Sequence, residues 1–70
     1  MGTMSPTGPA EEMAGMKAAS GFFAKRPWID ARQKRKVGQW GYSYYVTRKR
    51  EAFGDGFRRM CYILSQARAA

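Results

Sequence analysis

The second half of the chain carries a stripe of mostly apolar or small residues with helical spacing. Its members recur at intervals of three and four, the period of one helix face. They are Tyr42, Tyr45, Val46, Lys49, Phe53, Gly56, Phe57, Met60, Cys61, Leu64 and Ala67. Residues 42–47 have the composition of a β-strand, but the consecutive Tyr44, Tyr45 and Val46 fit strict alternation poorly. The pattern therefore favours helix.

Gly54 and Gly56 lie within this stretch of chain. Each glycine destabilises a helix interior by about 1 kcal/mol relative to alanine. We expect one helix over about residues 42–50, a kink at residues 54–56, and a last helix over about residues 56–68. Asp55 is the predicted N-cap of the last helix. Its predicted apolar face consists of Phe57, Met60, Cys61 and Leu64. A single uninterrupted helix that carries both glycines is the alternative.

The first half of the chain predicts two shorter helices. Pro9 suits the first position of a helix, and we expect that helix to cover about residues 9–19. A second helix is predicted over about residues 28–37, with Gly38 as its C-terminal cap. Residues 1–8 consist largely of turn formers and predict a tail.

These expectations describe a mainly α chain of short helices with an extended N-terminal segment and no independent compact core. Residues 1–24 are predicted to be a flexible or partner-pinned N-terminal segment. Residues 25–70 are predicted to be a basic, aromatic-rich helical segment. A chain of 70 residues is marginally stable without disulfides, metal or partners, so a larger partner is expected to keep it ordered.

The cysteine and histidine content excludes two of these sources of stability, an internal disulfide and a Cys/His metal site. Cys61 is the only cysteine, and the chain has no histidine. An internal disulfide and a Cys/His zinc site are therefore excluded. We expect Cys61 to be a small buried apolar residue on a helix face.

The positive charge is concentrated in the second segment. The chain carries a net charge of +8, with −1 on residues 1–24 and +9 on residues 25–70. Such a field favours an anionic partner: nucleic acid, anionic lipid headgroups or an acidic protein surface. The predicted anion-binding residues are Lys34, Arg35, Lys36, Arg48, Lys49, Arg50, Arg58 and Arg59.

The sequence offers no recognisable catalytic site. General acid–base catalysis commonly uses histidine or a pair of tuned carboxylates, and no pair of the five acids lies in an apolar stretch. The segment Gly54-Asp55-Gly56 lacks the spacing of a phosphate-binding loop and no Lys-Ser/Thr follows it. We expect no enzyme activity, no cofactor and no metal.

The aromatic residues favour docking onto other proteins. Aromatics, methionine and arginine are the residues enriched at protein interfaces. The predicted partner-binding residues are Phe22, Phe23, Trp28, Trp40, Tyr44, Tyr45, Phe57 and Leu64. The alternative is that exposed aromatics stack on unpaired bases while the basic clusters bind rRNA phosphates.

The tract from Val37 to Tyr44, with basic residues on both sides, is similar to one in the small MWFE-type accessory subunit of respiratory complex I. There the tract follows a membrane anchor. The resemblance covers less than a third of the chain and assigns no role to individual residues. It implies an accessory subunit of a respiratory complex.

The first functional hypothesis is therefore a non-catalytic accessory or structural subunit of a large multiprotein complex. In its most specific form this is a respiratory or energy-transducing complex of the mitochondrial inner membrane, to which the chain binds peripherally and where anionic lipid headgroups are a further candidate partner. No apolar run approaches the ~20 residues of a membrane-spanning helix, and the N-terminus lacks the pattern of a secretory signal. Two further hypotheses are a small ribosomal or RNA-binding protein and, more weakly, a microtubule- or filament-associated protein.

Overall fold

The computed structural model describes residues 8–66, which form three α-helices. These are α1 (Pro9–Ala24), α2 (Ala31–Thr47) and α3 (Glu51–Gln66). Residues 8–66 contain no β-strand, and the prediction of a mainly α chain is confirmed. Residues 1–7 of the predicted tail and the predicted end of the last helix beyond Gln66 lie outside the described residues.

The first helix begins where the sequence predicts and ends later. Pro9 occupies the first turn, as expected. The helix then continues past residue 19 to Ala24, because Ala19 and Phe23 are buried in the core. Burial of these side chains offsets the low helix propensity of Gly21 in the same turn.

The second helix merges two predicted helices into one. It begins at a capping box in which the Asp30 side chain accepts from the Gln33 N–H at 2.8 Å and the Gln33 side chain accepts from the Asp30 N–H at 3.2 Å. It then runs through Gly38 and Gly41, so the prediction of Gly38 as a C-terminal cap is wrong. Both glycines lie against α3, where the missing side chain lets the helices approach closely.

The break in the second half of the chain lies at residues 48–50. The N–H of Arg50 donates to the Tyr45 carbonyl at 2.8 Å, and the N–H of Lys49 donates to the Val46 carbonyl at 2.9 Å. This is a Schellman termination, with Lys49 in the left-handed region at φ 59°. The chain therefore breaks between two helices, as predicted but at an earlier position, and the alternative of one uninterrupted helix is wrong.

The predicted kink at residues 54–56 is also wrong. Helix α3 begins at Glu51 and passes through Gly54, Asp55 and Gly56 without interruption, so Asp55 is not its N-cap. Both glycines are buried. Each glycine lies directly against a neighbouring helix. This close packing offsets the low helix propensity of glycine.

Helix α3 lies between the other two. It packs against both α1 and α2, whereas no Cα atom of α1 lies within 8 Å of a Cα atom of α2 in the described helices. Glu11 at the start of α1 pairs with Arg50 just before α3, and Phe23 near the end of α1 clusters with Cys61. Helices α1 and α3 therefore run in the same direction.

Helix α2 runs antiparallel to α3. Gly38 in its first half faces Cys61, and Tyr45 near its end faces Gly54. The chain is therefore an up–down–up arrangement in which the third helix occupies the middle.

A pair of glycines sets the closest approach of α1 and α3. The Cα of Gly15 lies beside the backbone carbonyl of Phe53, and the Cα of Gly56 lies beside the backbone carbonyl of Glu12. Any side chain at either glycine would meet the backbone of the opposite helix. Helix-to-helix contact here is therefore made by backbone, with Cα–H groups directed at carbonyl oxygens.

The core is small but well defined. Its buried members are Ala19, Phe23, Phe57 and Cys61, with Ala18, Phe22, Ile29, Val37, Tyr45, Met60 and Leu64 packed around them. The predicted apolar face of the last helix is confirmed. The expectation of no independent compact core is corrected, because the glycine contacts bring the helices close enough for a few side chains to fill the interior.

Cys61 is fully buried in this core, as predicted. Burial raises the pKa of its thiol from 9.0 to about 11, although a backbone hydrogen bond partly opposes this. Since the unfolded chain loses this proton at lower pH than the folded chain, the contribution of Cys61 to the free energy of unfolding falls as pH rises from 9.0 to about 11.

We expect Cys61 to resist alkylation while the chain is folded. At pH 8 the raised pKa lowers the thiolate fraction about hundredfold, and burial hinders access further. Iodoacetamide labelling followed by mass spectrometry, with and without urea, measures the difference. Equal labelling rates in the two conditions would contradict the burial of this thiol.

Candidate interaction surface

The outward face of α2 carries aromatic and basic side chains at every fourth residue. We call Lys36, Trp40 and Tyr44 of α2, together with Arg48 directly after the helix, the α2 ladder. Trp40 is 62% exposed and Tyr44 is 39% exposed. Their ring centroids lie 5.4 Å apart, and the Arg48 guanidinium carbon lies 3.7 Å from the centre of the Tyr44 ring. Trp40, Tyr44 and Arg48 therefore form a continuous stack within the ladder.

The helical backbone and the core hold the α2 ladder in place. Residues four apart on a helix are neighbours, so the spacing alone brings Trp40 and Tyr44 together. Tyr44 also packs edge-on against Tyr45 at 5.1 Å, and Tyr45 contacts the buried Phe53 ring at 4.6 Å. The Arg48 side chain donates to the Tyr44 carbonyl at 3.4 Å. Contacts within the chain thus position Trp40, Tyr44 and Arg48.

Trp28 extends the apolar surface beyond the start of α2. It is 73% exposed and lies in the connection between α1 and α2. It lines a shallow depression of about 300 Å³ together with Ile29, Gln33, Lys36 and Val37. Because Lys36 belongs to both, the depression and the α2 ladder are contiguous.

The predicted partner-binding residues divide into three groups by exposure. Trp28, Trp40 and Tyr44 are exposed, whereas Phe22, Tyr45 and Leu64 are partly buried. Phe23 and Phe57 are only 6% and 4% exposed. Both lie in the core cluster, where the Phe57 ring packs against Gly41 and Tyr45 of α2.

The predicted anion-binding residues are all exposed except Lys34, which is partly buried. Several meet groups of the chain itself. Arg50 donates to the Glu11 carboxylate at 2.7 Å and lies 4.0 Å from the centre of the Phe53 ring. Arg59 lies 3.5 Å from the Glu12 carboxylate. These arginines join α3 to α1, a role that no local pattern indicates because the partners are far apart in sequence.

A second surface feature is a groove between α2 and α3, with a volume of about 490 Å³. We call it the arginine groove. Its lining residues are Arg35 and Gln39 from α2 and Asp55, Arg58, Arg59 and Tyr62 from α3. Three guanidinium groups and one carboxylate therefore share one concave site.

The arginine groove joins residues that sequence reasoning did not connect. The three arginines were predicted to bind anions as separate clusters. Gln39, Asp55 and Tyr62 were not predicted to contribute to a site. Only the antiparallel packing of α2 on α3 brings these residues together, so no signal along the chain could have found the groove.

Residues 8–66 contain no group of three or more His, Cys, Asp or Glu side chains that could hold a metal ion. Within the same range, no helix combines the length and apolar character needed to cross a membrane. No protein-family model matches the chain, and no curated protein or solved structure shows significant similarity to it. The residues and their arrangement are therefore the basis for assigning a function.

Proposed function

We propose that this chain is a non-catalytic structural subunit of a larger assembly, docked through the α2 ladder and Trp28. In its most specific form, the assembly is a respiratory or energy-transducing complex at the mitochondrial inner membrane. The observation that supports docking is the exposure of Trp28 and Trp40 on one contiguous surface outside the core.

The size and chemistry of these side chains favour a protein partner. An aromatic side chain buries about 150–250 Å² when covered, so leaving two tryptophans in water forgoes a large stabilisation. Lys36 and Arg48 flank the aromatics, which matches an apolar contact area with a charged rim. Acidic groups on the partner would complement that rim.

A position at a membrane surface is consistent with the same residues. Tryptophan and tyrosine concentrate at the level of lipid headgroups, and lysine and arginine bind anionic lipids beside them. This supports the inner-membrane form of the proposal, with the chain bound peripherally.

RNA binding is the second candidate function, and the stacked rings of the α2 ladder are the observation that favours it. Trp40 and Tyr44 lie between two cations on one helix face. Unpaired bases stack on such rings while cations bind the adjacent phosphates. The two functions differ in their sensitivity to nuclease.

Fractionation of the native particle distinguishes them. We expect the full-length tagged chain, extracted from its own cells with mild detergent, to migrate with a large membrane-derived complex. Nuclease treatment should leave that migration unchanged. Migration with ribosomal RNA that is abolished by nuclease would overturn the subunit proposal in favour of RNA binding.

A further inference from the structure

We propose that the arginine groove is a binding site for a small soluble ligand that carries a diphosphate group. The site is separate from the α2 ladder and does not depend on the proposed subunit role. Its α2 residues, Arg35 and Gln39, line a groove with α3, and no ladder residue lines that groove.

The charges in the groove are arranged for an anion. Arg35, Arg58 and Arg59 line it, with the Asp55 carboxylate beside Arg58 and the Glu12 carboxylate of α1 beside Arg59. Guanidinium groups bind phosphate oxygens through paired N–H donors and keep their charge at all physiological pH values. The three guanidinium groups therefore exceed the two neighbouring carboxylates by one positive charge.

Two of the three guanidinium groups are already positioned. Arg58 lies 4.2 Å from the centre of the Tyr42 ring, and its Nη2 is 3.6 Å from the Asp55 carboxylate. Arg59 is placed by the Glu12 carboxylate of α1 at 3.5 Å. Both ion pairs are long and involve exposed arginines, so each contributes little stability and leaves its guanidinium group accessible.

Arg35 supplies the third guanidinium group. Among residues 8–66 it forms no ion pair, side-chain hydrogen bond or cation–π contact. Its positive charge nevertheless faces the same groove as Arg58 and Arg59. An anion that bridges α2 and α3 would give this guanidinium a partner.

The size of the groove selects the class of ligand. Its volume of about 490 Å³ falls within the ~300–1,000 Å³ of small-molecule sites. Three guanidinium groups exceed what one phosphate group needs, whereas two linked phosphates can engage all three. Gln39 and Tyr62 add an amide and a phenol at the same site, which can contact the remainder of the ligand.

Calorimetric titration with inorganic pyrophosphate tests this proposal. Inorganic phosphate and citrate serve as comparison anions, and all titrations are made at one ionic strength because salt screens exposed charges. We expect saturable one-to-one binding of pyrophosphate, about tenfold tighter than phosphate, as one additional charged hydrogen-bonded contact provides. Citrate binding as tightly as pyrophosphate would overturn the diphosphate assignment.

Substitutions separate the groove from the general charge of the chain. Arg35→Gln should weaken pyrophosphate binding about tenfold or more. Arg32→Gln is the matched control, because it removes the same charge from the same exposed helix without lining the groove. Asp55→Asn should strengthen binding, since it removes the competing carboxylate beside Arg58.

Circular dichroism serves to check that each variant remains helical. Equal losses for Arg35→Gln and Arg32→Gln would show that pyrophosphate binds the overall charge, and the proposal would fail. Weaker binding by Asp55→Asn, or no saturable binding by the unsubstituted chain, would also overturn it.

Discussion

Gly56→Ala is expected to destabilise the chain by about 3 kcal/mol, the upper end for an overpacked interior. The new methyl group would meet the backbone carbonyl of Glu12, and the surrounding atoms of that peptide unit are also too close. A backbone group cannot rotate away as a flexible side chain can. Helices α1 and α3 must therefore separate, which loosens the packing of Ala19 and Phe23 on α3.

This loss is large for a domain of this size, whose total stability is on the order of 5 kcal/mol. Gly21→Ala is the matched control, because Gly21 is also helical but, apart from its chain neighbours and the adjacent backbone of its own helix, no atom of residues 8–66 lies within 4 Å of the added methyl group. Alanine should stabilise that position by about 0.5–1 kcal/mol through helix propensity.

Urea unfolding followed by circular dichroism at neutral pH measures both variants. Opposite signs are expected for the two glycine substitutions. Similar stability changes for Gly56→Ala and Gly21→Ala would show that the α1–α3 crossing does not depend on the absence of a side chain.

Trp40→Ala is expected to weaken incorporation into the proposed assembly by at least about thirtyfold, as loss of a central aromatic contact of about 2 kcal/mol implies. The helix should be unaffected, because Trp40 is 62% exposed and alanine is the best helix former. Tyr44→Ala should act in the same direction, since it removes the ring on which Trp40 and Arg48 rest.

Met13→Ala is the control for this second prediction. Met13 is 60% exposed, but it lies on α1, across α3 from the α2 ladder. Quantitative co-purification of tagged full-length chains measures how much of each variant enters the complex. Equal retention of Trp40→Ala and the unsubstituted chain would contradict docking through the ladder.

The sequence predicted the helical class and much of the local detail. Helical spacing identified the apolar face of α3 that includes Phe57 and Cys61, and the ring of Pro9 marked the start of α1. These predictions hold because periodicity and backbone preference are properties of a short stretch of chain. The burial of Cys61 followed from its place in the stripe.

The glycines were interpreted wrongly for a physical reason. Gly38, Gly54 and Gly56 lower helix propensity locally, and from sequence alone that cost predicts caps and kinks. In the fold, each lies where another helix approaches. Close packing there outweighs the local cost, and that gain exists only when the second helix is present.

The sequence by itself therefore determined that this protein is a basic, helical chain with an aromatic-rich α2 and a buried Cys61. Tertiary structure decided which aromatics stay outside the core, where α2 ends and which charges meet. Phe57 is buried while Trp40 is exposed, although both belong to the aromatic-rich segment predicted over residues 25–70. That difference, like the arginine groove, arises from the packing of α3 between its neighbours, because only contacts between distant segments fix which face of each helix is covered.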